Sequence, residues 1–491
     1  MTPPSTPLRS PRNTDRFPRW LIVLLLTPLI IVVGLLLWHV RWRMANTAAI
    51  QRLEAAAQQR GEPLTLASLA TNYPAVPDSE NAAAALMALW EKDDPRFWKA
   101  FHNGDRPLPE RARHVHDPAL PYLSNRGRNI ARNTRLTAAS TAAADEWMKA
   151  RAAHTEAVRA ALQLPHFRFP LKFDEGYMML MPHLAVLKEE ASGFLIEAAL
   201  ATDCGDLDKA IGALHDTARV GQLLADEPCL ISQLVRIACL NMAINGTERL
   251  LSQRELNASQ LAQVSRLAES LEVSGALRRS FICERAASLS IFTDSGRTLA
   301  ETARLSDDAS SDPEREAQTY RLGLGLMQSV GWAGAERRLM LETFNKVIML
   351  AEQDTAQALN ETEETVKRAV KEARQFPPKI LSGLLLPSME KVRPKFAALE
   401  ARRRAGVVAL SIERFRLTHQ GALPEQLDRL VPGFLARVPT DPFDGQPLRF
   451  RRLEKGYVVY SVGHDRKDNN GRERDPKGKQ REFDETFIVE R

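Results

Sequence analysis

Cysteine, aromatic residues and recognisable catalytic motifs are all scarce in this chain. Its 491 residues include four cysteines, and 6% are aromatic, which argues against an aromatic-rich all-β architecture for most of the length. The cysteines form no CxxC pair and have no histidines at zinc-finger spacing, so the pattern argues against a zinc site. We expect buried free thiols, with a disulfide between helices as the alternative if the domain is exported. The cysteines are Cys204, Cys229, Cys239 and Cys283.

An excess of charge of one sign is also lacking. Lys and Arg number 67 and Asp and Glu number 61, so the net charge of +6 is spread thinly over the whole chain. The densest basic run, Arg402 to Arg404, is followed by an apolar helical pattern and lacks interleaved aromatic residues. The composition therefore predicts no nucleic-acid partner, and the run indicates a solvated helix face.

One long apolar stretch stands near the start of the chain. Residues Leu21 to Val40 contain no Asp, Glu, Lys or Arg, and twenty helical residues extend about 30 Å, the thickness of a bilayer core. Trp20, Trp38 and Trp42 mark its ends, where amphipathic rings prefer the headgroup level. The sequence predicts an uncleaved transmembrane anchor over residues 20–42, with the lipid bilayer as partner.

The arginines and prolines before the span predict a disordered cytoplasmic stub over residues 1–19. The expected topology is a single pass through the inner (cytoplasmic) membrane, with the N-terminus inside and the bulk extracytoplasmic. Residues 43–180 predict a stalk and a mixed helical and irregular region. Within it, His114 and His116 alternate without a third ligand in register, so we expect no metal there.

Residues 181–395 predict a helical domain, because apolar side chains recur every three or four positions. Gly205 followed by Asp206 predicts the turn of an αα-hairpin, in an ordinary bundle or in a repeat-like array. We expect Leu234, on the next helix, to be a core residue facing this hairpin. Residues 396–491 then change character: a helix leads to turns and to a β-hairpin with strands 448–453 and 457–462, joined at Gly456.

This order of elements and motifs resembles the globular domain of the major pseudopilins of type II secretion systems. The resemblance implies a small α+β module and a calcium-binding loop, with Asp465, Asp468 and Asp484 as candidate ligands. Basic neighbours such as Arg466 and Lys467 oppose calcium, so a metal-free polar loop remains the alternative. The matching residues are Glu413, Pro424, Pro439, Asp441, Pro442, Gly445, Tyr460, Ser461, Gly463 and Asp465.

More of the chain, including the block from Glu227 to Ala238, resembles a group of single-pass, membrane-anchored bacterial proteins of uncharacterised activity. The leading hypothesis is a mainly α, membrane-anchored interaction or scaffold protein with a protein partner in an envelope or secretion assembly. The alternative is a membrane-bound hydrolase whose site is scattered in sequence, drawing on side chains such as His183, Glu189, Glu190 and Asp226. The sequence leaves the question of enzymatic activity open but favours its absence.

Overall fold

The computed structural model describes residues 19–96, 98, 120, 130–292, 325, 331–375, 379–474 and 482–491, with side chains from Leu26 onward in the first helix. These residues form fourteen α-helices and one three-stranded antiparallel sheet, so the prediction of a mainly helical chain with a small C-terminal sheet is confirmed. The predicted stub and His114 and His116 lie outside the described residues. The helices are α1 Arg19–Gln59, α2 Leu66–Thr71, α3 Ala82–Asp93, α4 Ala138–Ala150, α5 Ala152–Leu162, α6 His183–Cys204, α7 Leu207–Gln222, α8 Leu230–Gln253, α9 Ala258–Ser270, α10 Ala276–Ser290, α11 Trp332–Leu350, α12 Ala356–Ala373, α13 Ile380–Met389 and α14 Val392–Thr418; the strands are β1 Arg449–Arg452, β2 Tyr457–Ser461 and β3 Glu485–Val489.

Helix α1 runs without a break from the apolar stretch into the body. Its part from Leu26 is long and apolar enough to cross a membrane, and apolar side chains over the first turns are exposed. The second half packs against α11 in parallel: Arg338 Nη1 lies 3.3 Å from Asn46 Oδ1, and Asn345 Nδ2 donates to the carbonyl of Leu53 at 3.1 Å. The membrane-length helix therefore continues without interruption into the segment that packs on the body.

The αα-hairpin predicted at Gly205 is confirmed. Helix α6 ends at Cys204, Gly205 adopts the left-handed conformation with φ of 83°, and the Asp206 side chain accepts from the Lys209 N–H to start α7. Helix α8 packs across both helices, and a Cβ on Gly246 would lie 2.3 Å from Leu214 of α7. The expectation for Leu234 holds in part: it is partly buried and packs against the main core, but it also lines a cavity.

The C-terminal sheet has the order β1-β2-β3, and its predicted hairpin is confirmed with slightly shorter strands. Strand β2 packs on α14, where the Tyr457 hydroxyl donates to Glu413 at 2.8 Å. The outer edge of β3 is covered by α8, because the backbone N–H of Ile488 donates to Glu248 Oε1 at 2.8 Å. One large hydrophobic core includes side chains of helices α7 through α11, of α14 and of the sheet. A second core surrounds Trp90. The four cysteines are free in the structure; Cys229, Cys239 and Cys283 are buried as expected, and Cys204 is exposed.

Candidate binding cleft

A cavity of about 860 Å³ lies between α8, α14 and the C-terminal segment that ends in β3. We call it the cleft. Part of its wall is apolar and is contributed by Leu234 and Ile237 of α8 and by Leu399 of α14. The rest is polar and charged with both signs. Its remaining lining residues are Ile130, Ala131, Arg132, Ala238, Asn241, Asn245, Glu248, Arg249, Lys395, Ala398, Arg402, Glu473, Arg474, Asp484, Glu485, Thr486 and Glu490.

Arg402 of α14 organises the polar side of the cleft. Its guanidinium donates to Asn241 Oδ1 at 2.8 Å and to Asn245 Oδ1 at 2.7 Å, and it lies 3.1 Å from Glu248 Oε2. The three α8 residues share one helix face because they are spaced by four and three positions. The planar fork of a single arginine thus ties α14 to two turns of α8.

Glu248 connects this arrangement to the sheet. It is buried, one carboxylate oxygen accepts from Ile488 N–H, and the other faces Arg402. Burial raises the pKa of Glu248, although Arg402 and Arg132 act in the opposite direction. The compensation of this carboxylate by hydrogen bonds and positive charge is therefore incomplete.

Two further acidic residues of the cleft show the same trend. Burial raises the pKa of Glu485 against the pull of Arg402 and Arg474, and burial also raises the pKa of Asp484. Three carboxyl groups whose charged forms are disfavoured thus line one cavity. Such concentrations of perturbed acids in a concave surface are typical of functional sites, although structural networks also produce them.

The predicted calcium ligands lie on the loop that borders this cleft. Asp484 accepts from the backbone N–H groups of Asn469 and Gly471, at 3.2 and 2.7 Å. Asp468 accepts from the Tyr460 hydroxyl at 3.1 Å, and its second oxygen lies 3.4 Å from Arg449 Nε. Asp465 accepts from Asn469 Nδ2 at 3.0 Å.

These three carboxylates fit a hydrogen-bonded loop better than a metal-ligand set. In the part of the chain that the structure describes, no group of three His, Cys, Asp or Glu side chains is placed to hold a metal ion. Ser461, one of the residues that match the pseudopilin pattern, donates to Asp441 Oδ1 at 2.7 Å. Calcium binding stays a prediction, and the hydrogen bonds already account for the loop conformation.

The side chains considered for a hydrolase do not lie together in the cleft. His183 pairs with buried Glu227 at 2.9 Å, and Asp226 pairs with Arg168 at 2.5 Å. Glu189 lies 3.8 Å from Arg151. The first two pairs are separate from each other, Glu189 shares Arg151 with Glu190, and the sequence indicated none of these partners.

Glu190 belongs to a denser cluster. His154 bridges it to Asp93, with Nε2 2.8 Å from Glu190 Oε1 and Nδ1 2.7 Å from Asp93 Oδ2. The Trp90 indole N–H donates to the same Glu190 oxygen at 3.2 Å, and Arg151 donates to the other at 3.0 Å. Both carboxylate oxygens of Glu190 therefore have hydrogen-bonding partners, which is typical of a structural network.

Sequence reasoning missed the residues that build the cleft. Arg402 was expected on a solvated face, and that expectation is wrong because its side chain is largely covered by α8 and β3. Its two neighbours pair with Glu400. The spacing of Asn241, Asn245 and Glu248 was a visible signal, but nothing local connects it to an arginine more than 150 positions away. Comparison of the chain with family models, curated proteins and solved structures finds no match.

Proposed function

We propose that this chain is a membrane-anchored interaction protein whose cleft binds an extended segment of a protein partner. The observation that carries the proposal is the cleft itself: an open cavity of about 860 Å³ whose lining combines apolar side chains with fixed polar groups. Binding sites for peptides and ligands commonly combine such a wall with a few oriented polar groups. A helix of membrane-spanning length holds the body that carries it.

The state of the charged groups favours binding over catalysis. Arg402 is engaged by Asn241, Asn245 and Glu248, and Arg249 donates to Asp203 and to main-chain carbonyls. The described residues that line the cleft include no serine, cysteine or histidine. The partner segment would place apolar side chains against Leu234, Ile237 and Leu399, where burial of apolar area is favourable.

The expected topology belongs to the same proposal: the N-terminus inside, the body extracytoplasmic on the inner membrane, and the partner in an envelope or secretion assembly. The resemblance of the C-terminal module to pseudopilins supports this location. A reporter enzyme that is active only outside the cytoplasm should then be active when fused after Arg491, and a reporter that is active only in the cytoplasm should be inactive there. A reporter signal from the cytoplasmic side would contradict the topology and leave the cleft proposal standing.

Cross-linking from within the cleft tests the binding proposal. A photoreactive residue at Leu234 of the full chain, in its own membrane, should cross-link to a defined partner, identified by mass spectrometry. The additional change Ala398→Trp should fill the cleft and abolish that product while the melting temperature stays within a few degrees. The control position is Met349, which is 51% exposed and does not line the cleft. The same product from both positions, or its survival after Ala398→Trp, would contradict the proposal.

A membrane-bound hydrolase is the second candidate, favoured by the raised pKa values of Glu248, Asp484 and Glu485 in one cavity. A carboxyl group that keeps its proton can act as a general acid. Hydrolysis measured on ester, amide and glycoside substrates should then fall at least about 100-fold in Glu485→Gln. Activity that is unchanged by Glu485→Gln would exclude this residue as the acid.

A further inference from the structure

The N-terminal end of α11 lies beside the point where α1 leaves its apolar stretch. A Cβ on Gly331 would lie 2.9 Å from the Arg43 side chain and 3.0 Å from the Trp42 ring. Trp42 follows the apolar stretch closely, at the position where a membrane helix meets the headgroups. Because α11 runs parallel to α1, it starts at this level and extends away from it.

Helix α12 returns to the same level. It packs on α11 in the opposite direction, with Lys346 Nζ 3.4 Å from Glu361, so its last residue, Ala373, lies level with the first turn of α11. The backbone N–H of Lys379 then donates to the Ala373 carbonyl at 2.8 Å. The chain therefore enters α13 at the end of the body where α1 emerges.

Glu336 fixes the start of α13 at that end. It lies one turn after Trp332, and its carboxylate accepts from the N–H groups of Leu381 and Ser382 at 3.0 and 2.9 Å and from the Ser382 hydroxyl at 2.6 Å. A buried carboxylate at a helix N-terminus satisfies N–H groups that otherwise have no partner within the helix. The position of α13 relative to α11 is thus closely determined.

Apolar side chains project outward from this end of the body. Ile380 is 64% exposed and Leu384, one turn later on the same face, is 68% exposed, while Leu386 on the opposite face and Leu381 beside Ile380 are buried. Trp332 at the start of α11 is 39% exposed. The exposed basic residues Lys371 and Arg374 lie in the last turn of α12 and just after it.

We infer that these five residues, Trp332, Lys371, Arg374, Ile380 and Leu384, form a membrane-contact patch that rests on the lipid surface around α1. Ile380 and Leu384 enter the interface, and the two cations lie against anionic headgroups. Lipid is the occupant because the patch continues the interface of α1: Trp332 follows the glycine that contacts Trp42 and Arg43. The inference rests on the proposed anchoring by α1 and adds an orientation of the body relative to the bilayer.

Lipid quenching in the full chain tests the inference. The protein carries Cys204→Ser to remove the exposed native thiol, with the three buried cysteines retained. A single cysteine replaces Leu384, Leu35 or Met349 and is labelled with a small fluorophore. Each protein is reconstituted in nanodiscs of phosphatidylcholine and phosphatidylglycerol, with and without brominated acyl chains. Leu35 reports the span, and Met349, at the far end of α11, is the matched exposed control.

The label at Leu384 should lose at least half as much fluorescence to brominated lipid as the label at Leu35, and the label at Met349 should lose almost none. Lys371→Glu with Arg374→Glu should reduce quenching at Leu384 and leave Leu35 unchanged. Quenching at Leu35 without quenching at Leu384 would overturn the patch and leave the anchor intact. No quenching at Leu35 would overturn the anchor itself. The label at Leu384 could also be shielded from brominated lipid in nanodiscs that hold several proteins but quenched in nanodiscs that hold one. That result would show that a second copy of the chain covers this face, and it would overturn the inference.

Discussion

Two buried carboxylates of this chain, Glu62 and Glu248, have pKa values shifted in opposite directions by their surroundings. Glu62 lies at the junction where α1 joins the body. It accepts from Arg60 at 2.8 Å, from Arg278 at 3.0 Å and from Arg285 at 2.7 Å. Burial disfavours its charge, but the hydrogen bonds from Arg60 and Arg285 prevail and lower the pKa of Glu62.

Glu248, in the cleft, has one arginine and one backbone N–H as hydrogen-bond partners, and burial raises its pKa. The junction therefore compensates the charge of Glu62, although burial lowers the pKa of its partner Arg285, and the cleft leaves the charge of Glu248 less well compensated. A network that only joins helices gains from full compensation, since uncompensated buried charge is costly. In the cleft, the buried charge of Glu248 keeps part of this free-energy cost. A segment bound in the cleft would lower the cost by supplying hydrogen-bond donors or positive charge.

The largest effect is expected from Glu62→Gln. The buried guanidinium of Arg285 would lose its carboxylate partner, so the free energy of unfolding should fall by about 3 to 5 kcal/mol. Chemical denaturation of the detergent-solubilised full chain measures this. The matched control is Glu54→Gln, whose partly exposed pair with Arg337 joins α1 to α11 and should contribute under about 1 kcal/mol. Equal effects of the two changes would mean that the junction is no more than a surface network.

Substitutions at two leucines of α8 should distinguish the hydrophobic core from the wall of the cleft. Leu240 is fully buried, and Leu240→Ala should lower the free energy of unfolding by about 2 to 5 kcal/mol. Leu234 is half-buried in the cleft wall, so Leu234→Ala should cost about 1 kcal/mol or less. The same denaturation experiment measures both. A large loss in Leu234→Ala would show that the cleft wall is part of the core and argue against a binding role.

These two leucines also show what can be predicted from sequence. The turn at Gly205, the apolar stretch and the hairpin at Gly456 depend on neighbours in sequence, and all three were predicted. Which face of α8 meets α7 depends on the small size of Gly246, and α14 covers another face from far along the chain. The pairing of Arg285 with Glu62, 223 positions apart, is likewise fixed only by packing.

The pH dependence of stability should have opposite signs at the two carboxylates. The pKa of Glu248 is raised, so its favourable contribution is present at low pH and is lost as the pH rises above the value of the unfolded chain. Glu248→Gln should therefore gain stability relative to the native chain as the pH rises above about 4, the pKa of a glutamate in the unfolded chain. The pKa of Glu62 is lowered, so its contribution is present above its unfolded value and is lost on acidification. Unfolding free energies of the native chain, Glu248→Gln and Glu62→Gln as a function of pH measure the two trends. Parallel trends in the two variants would remove the contrast.

The smallest effect is expected from calcium, at the loop beside the cleft. Asp465, Asp468 and Asp484 already accept hydrogen bonds, and Arg449 competes for Asp468. Weak binding at a dissociation constant near 1 mM would stabilise the full chain by about 1 kcal/mol at about 5 mM calcium. The melting temperature should then rise slightly with calcium, return with chelator, and lose this response in Asp465→Ala, with magnesium as the ion control. Asp145→Ala is the variant control, because Asp145 lies on α4 and pairs with the exposed Lys149, away from the loop. A melting temperature that does not change with calcium would show that hydrogen bonds alone stabilise the loop. The raised pKa of Asp484 would then be a property of its position in the cleft and not of a metal site.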